Sequence, residues 1–347
     1  MKASQSILAR LRRGPASGSG LARALGVSRQ AVHEHLKALS GHGLIVKEGV
    51  TRGARYRIAG RREQGSAVRT VRRLLDLHGL EEDRVFDEIS TALGLARRTG
   101  ERAQEIAQYA FSELLNNAIE HSRSPKGLVE ARLDPYACSF VIRDYGIGVF
   151  QSMAAKFMLQ DESAALFEIL KGKRTTAPER HSGEGIFFTS KAVDRILFRS
   201  HRLRLEIDNL HPDVVVEEAR LLKGTEVRFF VARHARRRLG DVFAKFAPEE
   251  FDFRFEKTRV LVRLLGNDYV SRSEARRLLA GLDRFKEIEL DFEGVQRLGQ
   301  GFADEIFRVF RRAHPGIALR AVNVRPPLQA MIRHSLDNTV SSSLTIS

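Results

Sequence analysis

The sequence predicts a multidomain α+β protein, and three observations carry that expectation. The first sixty residues read as short amphipathic helices and one hairpin, and they hold most of the net positive charge. A long apolar helix near the middle bears a polar stripe and is followed by glycine-bearing turns at strand ends. The last third alternates strand with helix, as a small α/β unit does.

Composition bounds the reading. A chain of 347 residues with 43% hydrophobic content is long enough for two or three domains with real cores. Its single cysteine, Cys138, excludes an intramolecular disulfide and argues against a cysteine-based zinc site. No apolar run reaches transmembrane length, so a cytoplasmic protein without a membrane partner is expected. The net charge is +15, and residues 1–62 supply 13 − 2 = +11 of it, 13 Lys and Arg against Glu34 and Glu48. Such asymmetry points to nucleic acid or another polyanion. A basic surface kept for solubility is the alternative.

In the first sixty residues, SQSILARLRR reads as an amphipathic helix, GPASGSG as a turn and LARALG as a helix ended by Gly26. Ser28 is a natural N-cap for the next helix, whose buried stripe is Ala31, Val32, Leu36 and Leu39. LIVKEGVTRGARYRI follows as two strands around a basic turn. The stretch LGVSRQAVHEHLKALSGHGLI resembles bacterial winged helix-turn-helix regulators. That resemblance implies a domain over residues 1–60 that binds double-stranded DNA. The helix capped by Ser28 would enter the major groove with Arg29, Gln30, His33 and Lys37, and Arg52 and Arg55 would act from the wing. A protein-docking winged helix is the alternative, and the charge argues against it. Residues 61–104, with RREQGSAVRTVRRLLDLHGL and EEDRVFDEISTALGLA, read as a helical connector.

In SELLNNAIEH, residues 112–121, Glu113, Asn117 and His121 recur every four residues. A carboxylate, an amide and an imidazole therefore share one helix face. Asn is a poor mid-helix residue, which asks for another reason for its presence. Downstream, the strand SFVIRD runs into Asp144-x-Gly146-x-Gly148, Ser182-Gly183-Glu184-Gly185 precedes a helix, and Gly224-Thr225 opens a strand. This ordered set, over residues 105–232, resembles the GHKL ATPases, which include gyrase, histidine kinases, MutL and anti-sigma kinases.

The resemblance implies a Bergerat α/β sandwich that binds ATP and Mg²⁺ between helices and a mixed sheet. It makes Asn117 the Mg²⁺ ligand, Glu113 the base, Asp144 the acceptor for the adenine amino group and Thr225 its neighbour. Gly146 and Gly148 would approach the base, and the Ser182–Gly185 turn would hold phosphates. His121 would touch phosphate or cap the helix. In the lid over roughly residues 151–180, Lys171, Lys173, Arg174, Thr175 and Thr176 are γ-phosphate candidates, with solvated surface as the bland explanation.

After a connector over 233–253, residues 254–337 alternate strand and helix, and IELDFEGVQRLGQGFADEIF resembles the STAS-like domains related to anti-anti-sigma factors. Those factors carry a phosphorylatable serine after the buried strand and its turn. Here Gly299-Gln300-Gly301 occupies that stretch without a hydroxyl, which leaves an interaction or dimerisation module. Residues 338–347 read as a flexible tail. The expectation is a homodimeric transcriptional regulator whose DNA binding is gated by Mg²⁺-ATP binding and slow hydrolysis. A serine/threonine protein kinase of the anti-sigma type, acting on a STAS-domain partner, is the alternative.

Overall fold

The computed structural model describes residues 2–50, 53–60, 63, 68–159, 161–172, 184–252, 254–265, 268–335 and 345–346. They form two compact units. The first holds residues 1–149, 192–215 and 219–238, and the second holds 150–191, 216–218 and 239–347.

In the first unit, the N-terminal module runs α1 (Lys2–Arg12), β1 (Ala16–Ser17), α2 (Gly18–Leu25), α3 (Arg29–Gly41), β2 (Ile45–Glu48) and β3 (Arg55–Ile58). The three strands pair in the order β1-β3-β2, with β2 and β3 antiparallel, Val46 opposite Arg57. Local chemistry sets the boundaries. Ser28 Oγ accepts from Ala31 N at 3.1 Å, and Gly26 ends α2 in the left-handed region at φ 64°. Ile7, Leu11, Leu21, Val32, Leu36 and Leu39 form the core of the module.

The larger part of this unit is a five-stranded sheet with helices against it. Along the chain come β4 (Arg69–Asp76), α4 (Glu82–Leu93), α5 (Leu95–Arg98), α6 (Glu101–His121), β5 (Lys126–Leu133) and β6 (Ala137–Asp144). The chain then passes through α7 (Val149–Lys156), α8 (Glu162–Lys171) and α9 (Gly185–Ala192) before it returns as β7 (Arg195–Asp208) and β8 (Asp213–Ala232). The strand order is β4-β5-β6-β8-β7, with β4·β5, β5·β6 and β6·β8 antiparallel. Alternation along β6 turns Cys138, Phe140 and Ile142 inward. Phe140 stacks on Phe229 of β8 at 4.9 Å and meets Phe111 of α6 edge-on at 5.6 Å, which fixes α6 across the sheet.

One expectation fails here. Residues 69–76, read as part of a helical connector, form β4, in register with β5 from Arg69↔Leu133 to Asp76↔Lys126. The run RTVRRLL satisfies a helical pattern as well as an extended one, and the unpaired edge of β5 decides in favour of the strand. The helical reading does hold for α4, whose Val85, Phe86, Ile89 and Leu93 are buried.

The second unit contains α10 (Leu239–Phe246), β9 (Lys257–Leu261), β10 (Asp268–Tyr269), α11 (Arg272–Leu279), β11 (Glu287–Asp291) and β12 (Arg297–Leu298). Then come α12 (Gln300–Asp304), a π-helical stretch Glu305–Phe310, α13 (Arg311–Ala313), β13 (Ala318–Val322), α14 (Pro326–His334) and β14 (Thr345–Ile346). The sheet order is β14-β13-β11-β9, and each pair is parallel. Ser271 and Glu274 close a capping box on α11. The tail expected to be flexible thus supplies a strand at Thr345–Ile346, because β13 leaves an edge that these β-prone residues can pair with.

The described residues of 150–191 belong to this second unit, and several side chains hold them in it. Lys171 is buried, and its ammonium donates to Glu168 Oε1 at 3.0 Å and to the Ala280 carbonyl at 2.9 Å. Thr258 Oγ1 donates to the Lys171 carbonyl at 2.9 Å. From α9, Phe187 and Phe188 pack on Phe255 at 4.5 and 5.0 Å.

The absent hydroxyl at Gly299 also has a steric reason. A Cβ there would lie 2.6 Å from Val270 Cα and 2.8 Å from Val270 O, both rigid backbone atoms. Gly299→Ser is therefore expected to destabilise the C-terminal unit by about 1–3 kcal/mol or more. Denaturant unfolding of the variant checks this, and an unchanged midpoint would show that the turn can move aside.

Candidate functional site: helix α6 and the turn after β6

The polar stripe lies where α6 passes from buried to accessible. Ala110, Leu114, Leu115 and Ala118 are buried, whereas Glu113, Asn117 and His121 are half-buried beside them. Asn117 survives in mid-helix by donating its Nδ2 to the Glu113 carbonyl at 2.5 Å. That bond uses the nitrogen and leaves Oδ1 as the oxygen suited to a hard cation.

Asp144, the last residue of β6, is buried at 5% exposure. Its Oδ1 accepts from Gly146 N at 2.9 Å and from Thr225 N at 3.2 Å. Burial raises its pKa, and the two backbone N–H groups oppose that rise. A carboxylate offers about four acceptor sites, so two bonds leave room for an amino group. Thr225, also buried, accepts from Val149 N at 2.9 Å.

Gly146 makes its closest approach to α6. A Cβ at 146 would overlap the Ser122 carbonyl oxygen, and the next amide, Ile147 N, donates to that oxygen at 2.9 Å. Ser122 Oγ in turn donates to Ala118 O at 2.5 Å, and Ser124 Oγ accepts from Tyr145 N at 3.2 Å. The D-x-G turn is therefore pinned to the C-terminus of the helix that carries Glu113 and Asn117. Gly148 sits at φ +83°, and a side chain there would strike Ser200 Oγ at 2.6 Å. Sequence reasoning passed over Ser122 and Ser124. Their signal was the S-x-S that follows His121 directly, two hydroxyls where a helix ends.

Lys171 departs from the expectation that it reaches a phosphate. Its ammonium is committed to Glu168 and to backbone carbonyls, because a buried charge needs partners wherever it lies. Lys173, Arg174, Thr175, Thr176, Ser182 and Gly183 lie outside the described residues. Glu184 and Gly185 open α9, where Phe188 N donates to the Glu184 carbonyl at 2.9 Å.

In the N-terminal module, Ser28 caps α3, and Arg29, Gln30, His33 and Lys37 are placed along it while Val32, Leu36 and Leu39 face inward. Arg55 is exposed on β3, and Arg52 lies outside the described residues.

A second charged centre was not foreseen. Glu206 on β7 is 4% exposed and receives Arg195, Arg204 at 2.8 Å and, from the end of α1, Arg13 at 3.0 Å. Burial alone would push its pKa up, yet Arg195 and Arg13 hold it below the usual carboxylate range. Around it, Arg12 stacks over Phe230 at 4.0 Å, Gln5 donates to the Tyr136 carbonyl at 3.3 Å and Ser6 meets His211 at 3.2 Å. Helix α1 is thus docked on β7 and β8. No local pattern in the sequence tells that an N-terminal arginine is the partner of Glu206.

Family models match three regions: residues 2–48 as a helix-turn-helix domain, residues 65–207 as a histidine kinase-like ATPase domain and residues 274–329 as a STAS-like domain of unknown function. No curated protein matches the chain. No described helix is long and apolar enough to cross a membrane. The protein is a multidomain α+β chain that joins a DNA-binding helix-turn-helix domain, a histidine kinase-like ATPase domain and a STAS-like domain.

Proposed function

We propose that the protein is a transcriptional regulator in which Mg²⁺-ATP, bound in the ATPase domain, controls how the helix-turn-helix domain engages DNA. The observation that carries gating is the docking of α1 on β7 and β8 through Glu206. The reading head is packed on the sheet that presents Asp144, so a shift in that sheet has a rigid route to α3.

The donor set fits the nucleotide. Asp144 would take the adenine amino group, with Thr225 beside it, and Asn117 Oδ1 would be the protein ligand to Mg²⁺. Bound Mg²⁺-ATP would supply the phosphoanhydride and the cation that neutralises it. Glu113, one turn before Asn117, would take the proton from a water attacking that phosphoanhydride. The amides at Gly183 and Gly185 would meet phosphate oxygens, and His121 lies on the same face as Glu113. Arg29, Gln30, His33 and Lys37 would face the major groove, with Arg52 and Arg55 on the flanking backbone. A homodimer belongs to this reading, because paired half-sites need paired readers. A chain of this composition, with no described membrane-crossing helix, would work in the cytoplasm.

Three outcomes test it. With DNA from upstream of the protein's own gene at fixed salt, a non-hydrolysable ATP analogue with Mg²⁺ should shift affinity by about 5–150-fold relative to ADP. Equal affinity with analogue, ADP and no nucleotide would sink gating. Glu113→Gln should keep nucleotide binding and slow hydrolysis by about 10²-fold or more, and an unchanged rate removes Glu113 as the base. Arg13→Gln should leave ATP affinity and nucleotide-free DNA affinity unchanged while shrinking the nucleotide effect. A full effect in that variant would place the coupling elsewhere.

A further inference from the structure

Many arginines of the first unit end on carboxylates. Arg13, Arg195 and Arg204 share Glu206, Arg57 holds Glu48 and Glu63, Arg132 faces Asp134 and Arg237 faces Asp194. Five others, drawn together by the fold, do not. Arg97, Arg98, Arg102, Arg236 and Arg238 are exposed, and among the described residues none of them forms an ion pair. They come from two stretches far apart in the chain, the α5–α6 junction and the residues after β8.

The fold ties these stretches into one surface. Gly100 N donates to the Arg233 carbonyl at 2.7 Å, Arg233 Nε donates to the Arg98 carbonyl, and Arg102 Nη1 donates to the Arg236 carbonyl at 3.2 Å. Gly100 is the N-cap of α6 and supplies no side-chain cap, so the positive end of a 21-residue helix opens within the patch. Glu101, Glu105 and Asp241 are the acids nearest in sequence, three against five.

The patch also joins the module that reads DNA. Arg233 N donates to the Tyr136 carbonyl at 2.9 Å, and Tyr136 Oη meets Nδ1 of His42, the residue that ends α3, at 3.3 Å. Helix α3 has 13 residues and so is about 20 Å long. The patch is therefore linked through Arg233 and Tyr136 to the end of the reading helix opposite to Arg29.

We propose that Arg97, Arg98, Arg102, Arg236 and Arg238 form a second nucleic-acid contact, which grips the phosphate backbone of duplex DNA flanking the site read by α3. It rests on the DNA-binding reading given above. Guanidinium forks suit phosphate oxygens, and such contacts need no particular sequence. They extend the footprint and add to the salt dependence of binding.

The test uses the full chain and mixed-sequence duplexes of about one and about three helical turns, roughly 10 and 30 base pairs, over a salt series. A variant with Arg97, Arg98, Arg236 and Arg238 all changed to Gln removes exposed side chains only, and its thermal unfolding should match that of the parent protein. On the long duplex, the slope of log affinity against log salt should become shallower by about 0.9 for each phosphate that is no longer neutralised, roughly two to four units in all. On the short duplex it should not change. A second variant, Arg29→Gln with Lys37→Gln, should weaken both duplexes. If the first variant leaves both slopes unchanged while the second weakens both, the flanking grip is wrong and the DNA-binding reading stands. If the second changes nothing while the first weakens binding, the reading by α3 fails and the patch survives as the DNA-binding surface. If the first variant binds DNA normally but no longer holds poly-glutamate that the parent protein binds, the patch serves an acidic protein, and the proposal is overturned.

Discussion

The carbonyl of Ser122 is the point on which the candidate nucleotide site depends. It ends α6, accepts the amide of Ile147 and leaves no room for a side chain at Gly146. Through it, a helix bearing Glu113 and Asn117 is locked against the turn that follows Asp144. A helix and a strand end that are far apart in sequence are thereby held as one rigid set, without the freedom that would blur the distances catalysis and metal binding require. The aromatic stack of Phe111, Phe140 and Phe229 beneath it keeps α6 across the sheet, so the same geometry is supported from the core.

Glu206 plays the corresponding part for the DNA-binding module. A carboxylate this deep is tolerated because several guanidiniums surround it. One of them comes from the end of α1, and this ties the position of the reading head to the charge balance of an ATPase strand. Removal of one peripheral partner weakens the tie, whereas removal of the carboxylate would strand buried Arg195, a far larger disturbance.

Much of this was legible in the sequence because it rests on short-range chemistry. The cap at Ser28, the stripe at Glu113, Asn117 and His121, and the glycine that ends a strand after Asp144 are local patterns, and the three modules follow from them. What escaped depends on partners remote in the chain. RTVRRLLD reads equally as helix or strand until the edge of β5 chooses for it. Lys171, in a stretch rich in basic residues, looks like a phosphate ligand until Ala280 and Glu168 are found around its ammonium. The Gly299 turn reads as a missing hydroxyl, and only the backbone of Val270 shows that a side chain was never admissible there.

The boundaries of the ATPase family and the boundaries of the folding units do not coincide. The family model covers residues 65–207, yet the described residues of 150–191 within that range fall in the unit of the STAS-like domain, through the Lys171 ammonium and the rings of Phe187 and Phe188. The chain is therefore not a string of exchangeable beads. A gene rearrangement that removed everything after Arg238 would keep nearly every ATPase signature in the sequence, yet strip the scaffold from the segment that joins β6 to β7. Recombination between such proteins should favour exchange of the ATPase and STAS-like domains together, and the helix-turn-helix module, held on the ATPase sheet through Glu206, would have to travel with them.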